Sequence, residues 1–402
     1  MKYTKLTIAF ICIVLLNIMA WVSPVFCDWY VWYILPIWVN TYARVTSLFS
    51  FSVGEVMLGI GVVATIILVL IGVIYGVGWT WFRHGVWYSR SKEYGRKYLK
   101  RYIWMFVVVS GIMTLNCFIP YHCSSLEEKY GGFHQQAEEN SMVNRLFSRQ
   151  YTLKELGDLR DYIVIKCNEL AVRMERDEAG DILLPENMET LLIEGMQRLG
   201  EDFWQLSGYY PRPKQLTLSG FFSQQMIKGY FFPFSLEANY NGLMEEINFP
   251  ATICHEYAHL KGFMYEEEAN MIGFLACIGS PDVTLQYSGY LSVLNYVNNE
   301  FYEAIGRNKA VYSSHVPISS LVSADNVFLK EETWEAVEKK AVLSTELVNK
   351  VSDSFTETTM ALNGVEDGMR SYARVVELLL RYYDGSYEIQ QILARDNTVT
   401  MK

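Results

Sequence analysis

Two histidines four residues apart, with a glutamate directly after the first, form the stretch His255-Glu256-Tyr257-Ala258-His259. On a helix these imidazoles share one face a turn apart, so both can hold a single Zn²⁺. Glu256 between them projects toward the open coordination position, where a carboxylate can act as a general base on water. Hydrolysis of a peptide bond is the chemistry such a set performs. The chain has only six histidines, so a chance match to H-E-x-x-H is rare. The competing reading is a pair of helix histidines satisfied by ordinary hydrogen bonds. A helix is what the motif requires, and its surroundings encode one. Asn248 is placed to cap it, Pro250 fits the first turn, and Gly262 offers a left-handed exit, while Ile253, Tyr257 and Leu260 give a buried face.

A catalytic zinc takes three protein ligands and keeps one position for water. The glycine turn after His259 resembles the H-E-x-x-H-x-x-G-x-x-H metallopeptidases, but Tyr265 stands where their last histidine would be and no Met-turn is recognisable. Glu266, Glu267 and Glu268 follow at once, then Ala269 and Asn270. Three glutamates also complement a helix N-terminus without any metal. Glu266 and Asn270 are four apart and share a helix face, whereas Glu268 lies about 200° around from Glu266. Glu266 is therefore the expected third ligand, with Glu268 as the alternative, and Asn270 is expected to orient a ligating histidine.

A glutamate followed three and four residues later by Ala and Asn resembles the third-ligand helix of gluzincin-type metallopeptidases. The chain as a whole is similar to an uncharacterised bacterial family of membrane-anchored, metallopeptidase-like proteins catalogued as a domain of unknown function. The likeness is carried by Phe232-Pro233-Phe234, Glu237-Ala238-Asn239, the stretch from Cys254 to His259, Gly262-Phe263 and Tyr287-Ser288-Gly289-Tyr290. Gly364, Gly368, Ser371-Tyr372 and Val375-Val376 add to it near the C-terminus. It implies a zincin-like fold and a metal site, and no substrate.

Other participants are less sharply marked. Zincins pair substrate backbone with a sheet edge upstream of the zinc helix, so Tyr230–Phe234 is the candidate edge, and a plain aromatic core strand is the alternative. Tyr287, Tyr290, Tyr372 and His315 are the candidate donors to a tetrahedral oxyanion; among 28 tyrosines, any one is more often packing.

The elements that must position these groups fall into two regions. Three apolar runs, Leu6–Phe26, Val53–Val77 and Tyr102–Ile119, are each about long enough to cross ~30 Å of hydrocarbon. The first begins like a signal peptide, but its core is long and no Ala-x-Ala site follows, so a retained helix is expected. The loop between runs two and three carries Arg83, Arg90, Lys92, Arg96, Lys97, Lys100 and Arg101 against Glu93 alone. Positive charge stays in the cytoplasm, which puts 79–101 and the N-terminus inside and residues 121–402 outside a bacterial cytoplasmic membrane. Trp29, Trp32 and Trp38 on one side, with Trp79, Trp81 and Trp87 on the other, suit interfacial belts.

After Pro120 amphipathic helices dominate. Thr152 and Glu155 form a capping box, Pro185 opens a second helix, and helical patterns return at 248–262, 266–279, 282–305, 330–351 and 367–383. Lys214–Leu218 and Gly229–Phe234 read as strands, with turns at Gly220 and Asn239–Gly242. The expected class is α+β: a membrane anchor over 1–120, then an α-rich zincin-like extracytoplasmic domain over 121–402 with a small sheet.

Charge supports the division. Residues 1–120 hold ten Lys/Arg against three Asp/Glu, a net +7, which leaves −17 for the remainder of a chain whose total is −10. So acidic a domain is not a nucleic-acid binder. Seven cysteines without a Cys-x-x-Cys pair allow a Cys123–Cys167 disulfide but do not demand one. The expected function is a membrane-anchored zinc peptidase acting on peptides or proteins outside the cytoplasm. A non-catalytic zinc sensor or scaffold is the alternative, against which the intact Glu256 argues. Hydrolysis of cell-wall amides is a third reading, supported by no recognisable glycan-binding repeat.

Overall fold

The structure, a computed structural model, describes residues 4–81, 86–130, 150–350, 368–384, 386 and 389. Arg83 and Gly364 fall outside the described residues, as do the side chains of Trp79, Trp81, Trp87, Arg90 and Tyr372. The chain is helix-rich and divides into two compact units: Met1–Cys123 with Phe232–Glu237, and Ser124–Phe231 with Ala238–Lys402.

In the first unit three helices are long and apolar enough to cross a membrane: Thr4–Val22, Val53–Val77 and Lys92–Tyr121, of 19, 25 and 30 residues. The middle one leaves Ile60, Val62, Val63, Ile66, Val69 and Leu70 exposed, a surface that suits lipid and not water. Between the first two of these helices the chain is also helical, which the apolar pattern alone did not suggest. The first run stops at Val22, and Pro24–Tyr33 restarts with Pro24 in its first turn and the Ser23 hydroxyl accepting from the Phe26 amide at 3.2 Å. Leu35–Thr46 follows. Within the same unit, the amides of Val53 and Gly54 donate to the Glu237 carboxylate at 3.2 and 2.8 Å. Glu237 is fully buried, and its charge is matched to the positive end of a helix.

The second unit is built around helices with a small sheet. Leu153–Ala171 starts with the expected capping box: Thr152 Oγ1 accepts from the Glu155 amide at 3.3 Å, and Glu155 Oε2 from the Thr152 amide at 2.7 Å. The second helix runs from Met188 to Leu199, beginning three residues after Pro185. The motif helix, Phe249–Leu260, packs on Glu266–Ile278, which packs on Val283–Ala304, which in turn packs on Leu153–Ala171. Gly368–Tyr382 lies against Glu266–Ile278 and Val283–Ala304. This stack buries Tyr257, Phe274, Tyr287 and Phe301.

The sheet has the order β1-β3-β2, with β1 Lys214–Gln215, β2 Gly229–Phe232 and β3 Glu237–Tyr240. β1 runs parallel to β3, pairing Lys214 with Asn239 and Gln215 with Tyr240. Two sequence expectations are corrected. Asn239 and Tyr240 belong to the central strand rather than to a turn, because pairing on both sides outweighs the weak strand preference of Glu-Ala-Asn. Gly220 lies inside the short helix Ser219–Gln224. All seven cysteines are free, so the Cys123–Cys167 pairing is not formed.

Candidate metal centre

Two helices and the turn between them assemble the site. The motif helix ends at Leu260, and Gly262 takes φ +87°, the left-handed conformation that a glycine adopts without strain. That reversal starts the next helix at Glu266. Asn248 occupies the residue before the motif helix but makes no side-chain cap, because its amide group is engaged elsewhere.

His255, His259 and Glu266 meet where the two helices converge, with one ligand atom of each inside 4.8 Å of the others. The two Nε2 atoms are 3.0 Å apart. Glu266 Oε2 lies 3.2 Å from His255 Nε2, and Oε1 lies 3.6 Å from His259 Nε2. Ligands about 2.0–2.1 Å from a tetrahedral zinc are themselves about 3.3 Å apart. Two imidazole nitrogens and a carboxylate at these separations fit that ion.

The far sides of both rings are tied. Asn270 Oδ1 is 3.1 Å from His255 Nδ1, and the Phe263 carbonyl is 2.8 Å from His259 Nδ1. Acceptors there keep a proton on Nδ1 and turn each Nε2 toward the centre. Burial drives His259 down to about 4, so its ring is neutral. The same burial acts on His255, but the Glu266 carboxylate outweighs it and raises that ring. Against its own desolvation, Glu266 is held down by the two imidazoles. The trio thus retains a proton that a divalent cation would displace.

Glu256 is buried and lines a cleft of about 370 Å³ together with His255, Glu266 and Asn270. Burial lifts its carboxyl to about 8, with His255 pulling down, Glu266 pushing up and the Phe231 amide pulling down. Gly229 makes room for it: a Cβ there would fall 2.6 Å from Glu256 Oε1. β2 has one partner in the described sheet, and Gly229 at its start lines the cleft. The edge strand is therefore Gly229–Phe232, shorter than the 230–234 read from sequence, and of it Phe231 and Phe232 are buried.

The other glutamates are used differently. Glu267 pairs with Arg374 at 3.0 Å. Glu268 is buried and accepts from the Leu126 amide at 2.6 Å. Among the proposed oxyanion donors, Tyr287 donates to Asp325 at 2.7 Å, Tyr290 packs on Phe274 3.4 Å from the Tyr162 hydroxyl, and His315 contacts Asp161 at 2.8 Å. None of the three lines the cleft. Tyr296 does, with its hydroxyl 3.4 Å from Asn270 Nδ2. A signal for it existed: Ser288, Ser292 and Tyr296, spaced by four, form a polar stripe on one helix face, and all three line the cleft.

Fold and site together define a helix-rich protein that joins membrane-capable helices to a unit with a His-His-Glu cluster. The family model described as protein of unknown function (DUF3810) matches residues 30–380, and the chain belongs to that family. No curated protein and no solved structure matches it.

Proposed function

We propose that the protein is a membrane-anchored, zincin-like zinc peptidase of the gluzincin type, whose second unit cleaves peptide bonds outside the cytoplasm. One observation carries the reading: His255, His259 and Glu266 converge at ligand spacing while Glu256 lines the same cleft. Zinc held by that trio would supply Lewis acidity to a carbonyl and to water. The chain's own groups do the rest. Glu256 takes the proton from the attacking water and passes it to the leaving amine. Asn270 and the Phe263 carbonyl fix the imidazoles, Tyr296 in the cleft wall is the candidate donor to the developing oxyanion, and the start of β2, where Gly229 lines the cleft, can pair with substrate backbone.

Purified full-length protein is expected to hold about one zinc per chain, read by mass spectrometry of the metal, and to cleave members of a peptide pool. His255→Ala and His259→Ala should lose the metal, whereas Glu256→Gln should keep it and lose cleavage. A Glu256→Gln protein as metal-poor as His255→Ala would overturn the role of Glu256. Bound zinc without cleavage of any peptide would favour a sensor or scaffold instead.

A further inference from the structure

Lys228, the residue before β2, lines the same cleft as Glu256 and Glu266. Its ammonium donates to Oδ1 of Asn248 at 2.8 Å. Asn248 is fixed from its other end, where Nδ2 donates to the carbonyls of Glu245 at 3.2 Å and Val327 at 3.0 Å. With both amide hydrogens given to carbonyls, Oδ1 is the atom left to meet the lysine. Asn248 therefore holds the ammonium in place and uses one of its three hydrogens; two remain.

A neutral amide oxygen does not neutralise that charge. Among the described residues no carboxylate lies within ion-pair distance of Lys228, whose stem is exposed while its amino group lines the cleft; burial there lowers it to about 8, so it still carries its proton at neutral pH. The two carboxyl groups lining the cleft, Glu256 and Glu266, are the proposed base and metal ligand, so neither serves as its counter-ion. A Cβ on the next residue, Gly229, would fall 2.6 Å from Glu256 Oε1, so Lys228 is adjacent in the chain to the backbone that packs beside the reacting centre. In a region with net charge −17, an anionic ligand is repelled over most of the surface, and a local ammonium decides where it docks.

We propose that Lys228 determines specificity at this site by receiving a carboxylate of the peptide substrate. The proposal rests on the peptidase reading above and narrows its substrates to peptides bearing a carboxylate near the scissile bond. That carboxylate has two sources: the free C-terminus, or an Asp or Glu side chain.

The test uses full-length protein in lipid nanodiscs, carrying Glu256→Gln so that bound peptide is not turned over. Three fluorescein-labelled tetrapeptide pools are compared by anisotropy. One has a free C-terminal carboxylate and no acidic side chain. The second is amidated and contains one Asp or Glu, and the third is amidated and neutral. One of the first two is expected to bind roughly tenfold or more tightly than the neutral pool, and which one it is names the source. Adding Lys228→Gln should abolish that preference, Lys228→Arg should keep most of it, and zinc content should be the same in all three proteins. Equal binding of the three pools, binding of none, or a preference that survives Lys228→Gln overturns the proposal. Zinc content and wild-type cleavage are measured separately, so a cleaving enzyme indifferent to Lys228 sinks this inference alone. A chain without zinc or cleavage that still prefers carboxylates through Lys228 sinks the peptidase reading instead.

Discussion

Glu266, Glu267 and Glu268 share one chemistry and differ only in phase, each turned about 100° from the last. That turn sends the first to two imidazoles, the second to Arg374 and the third to a buried amide. Zinc content measured side by side should follow the phase. Glu266→Gln should lose most of the metal, because two imidazoles alone bind it weakly. Glu267→Gln and Glu268→Gln should retain it, since a glutamine at 268 can still accept from Leu126. Normal zinc in Glu266→Gln with loss in Glu268→Gln would rotate the second helix by half a turn and defeat the assignment. Helical phase made Glu266 and Asn270 legible because both depend on one short helix whose start is fixed by Gly262. For Tyr296 the same phase gave only a weak signal, the stripe it shares with Ser288 and Ser292. It stands in a tyrosine-rich helix where Tyr287 and Tyr290 are equally plausible by type, and packing against neighbouring helices decides which face meets the cleft. Lys228 escaped notice for a related reason: its partner, Asn248, is twenty residues away and was expected to cap a helix.

At the scale of elements, the turn from Leu260 to Glu266 sets the geometry of two of the three ligands. Gly262 reverses the chain with φ +87°, and the residue after it presents the carbonyl that holds His259 Nδ1 at 2.8 Å. An alanine forced into that conformation costs about 1–2 kcal/mol. Gly262→Ala is thus expected to lower the thermal midpoint and to weaken zinc binding together, read by thermal unfolding and by competition with a chelator. A variant as stable as the wild type, with unchanged affinity, would show that the turn does not position the site. The two site helices were readable from Pro250, the Gly262 exit and their apolar periods, though the expected Asn248 cap is not made. The central strand was not: Glu237-Ala-Asn-Tyr has little strand propensity, and its parallel partner, Lys214–Gln215, is more than twenty residues upstream. Pairing that distant is a property of the assembled sheet, and no local pattern announces it.

At the scale of the whole molecule, charge and hydropathy combine into a statement about sidedness. In the topology proposed above, all three apolar helices cross a bilayer and residues 121–402 follow on the face opposite the N-terminus, so one loop's side fixes the rest. The proposed side follows from the basic stretch at the start of the third apolar helix, including Lys92, Arg96, Lys97, Lys100 and Arg101, because Lys and Arg near span ends are retained in the cytoplasm. Two exposed lysines report on the outcome. Lys97 keeps 61% of its side-chain surface open in the basic stretch, and Lys154 keeps 82% in the second unit. In a version whose native cysteines are replaced by alanine, Lys97→Cys and Lys154→Cys are exposed to a membrane-impermeant thiol reagent. Intact cells, or spheroplasts where an outer membrane intervenes, should label position 154 alone, and permeabilised cells should label both. Labelling of position 97 in intact cells would place the His-His-Glu cluster in the cytoplasm. The cleft would then face cytoplasmic peptides, and a carboxylate-selecting Lys228 would draw its substrates from that pool instead.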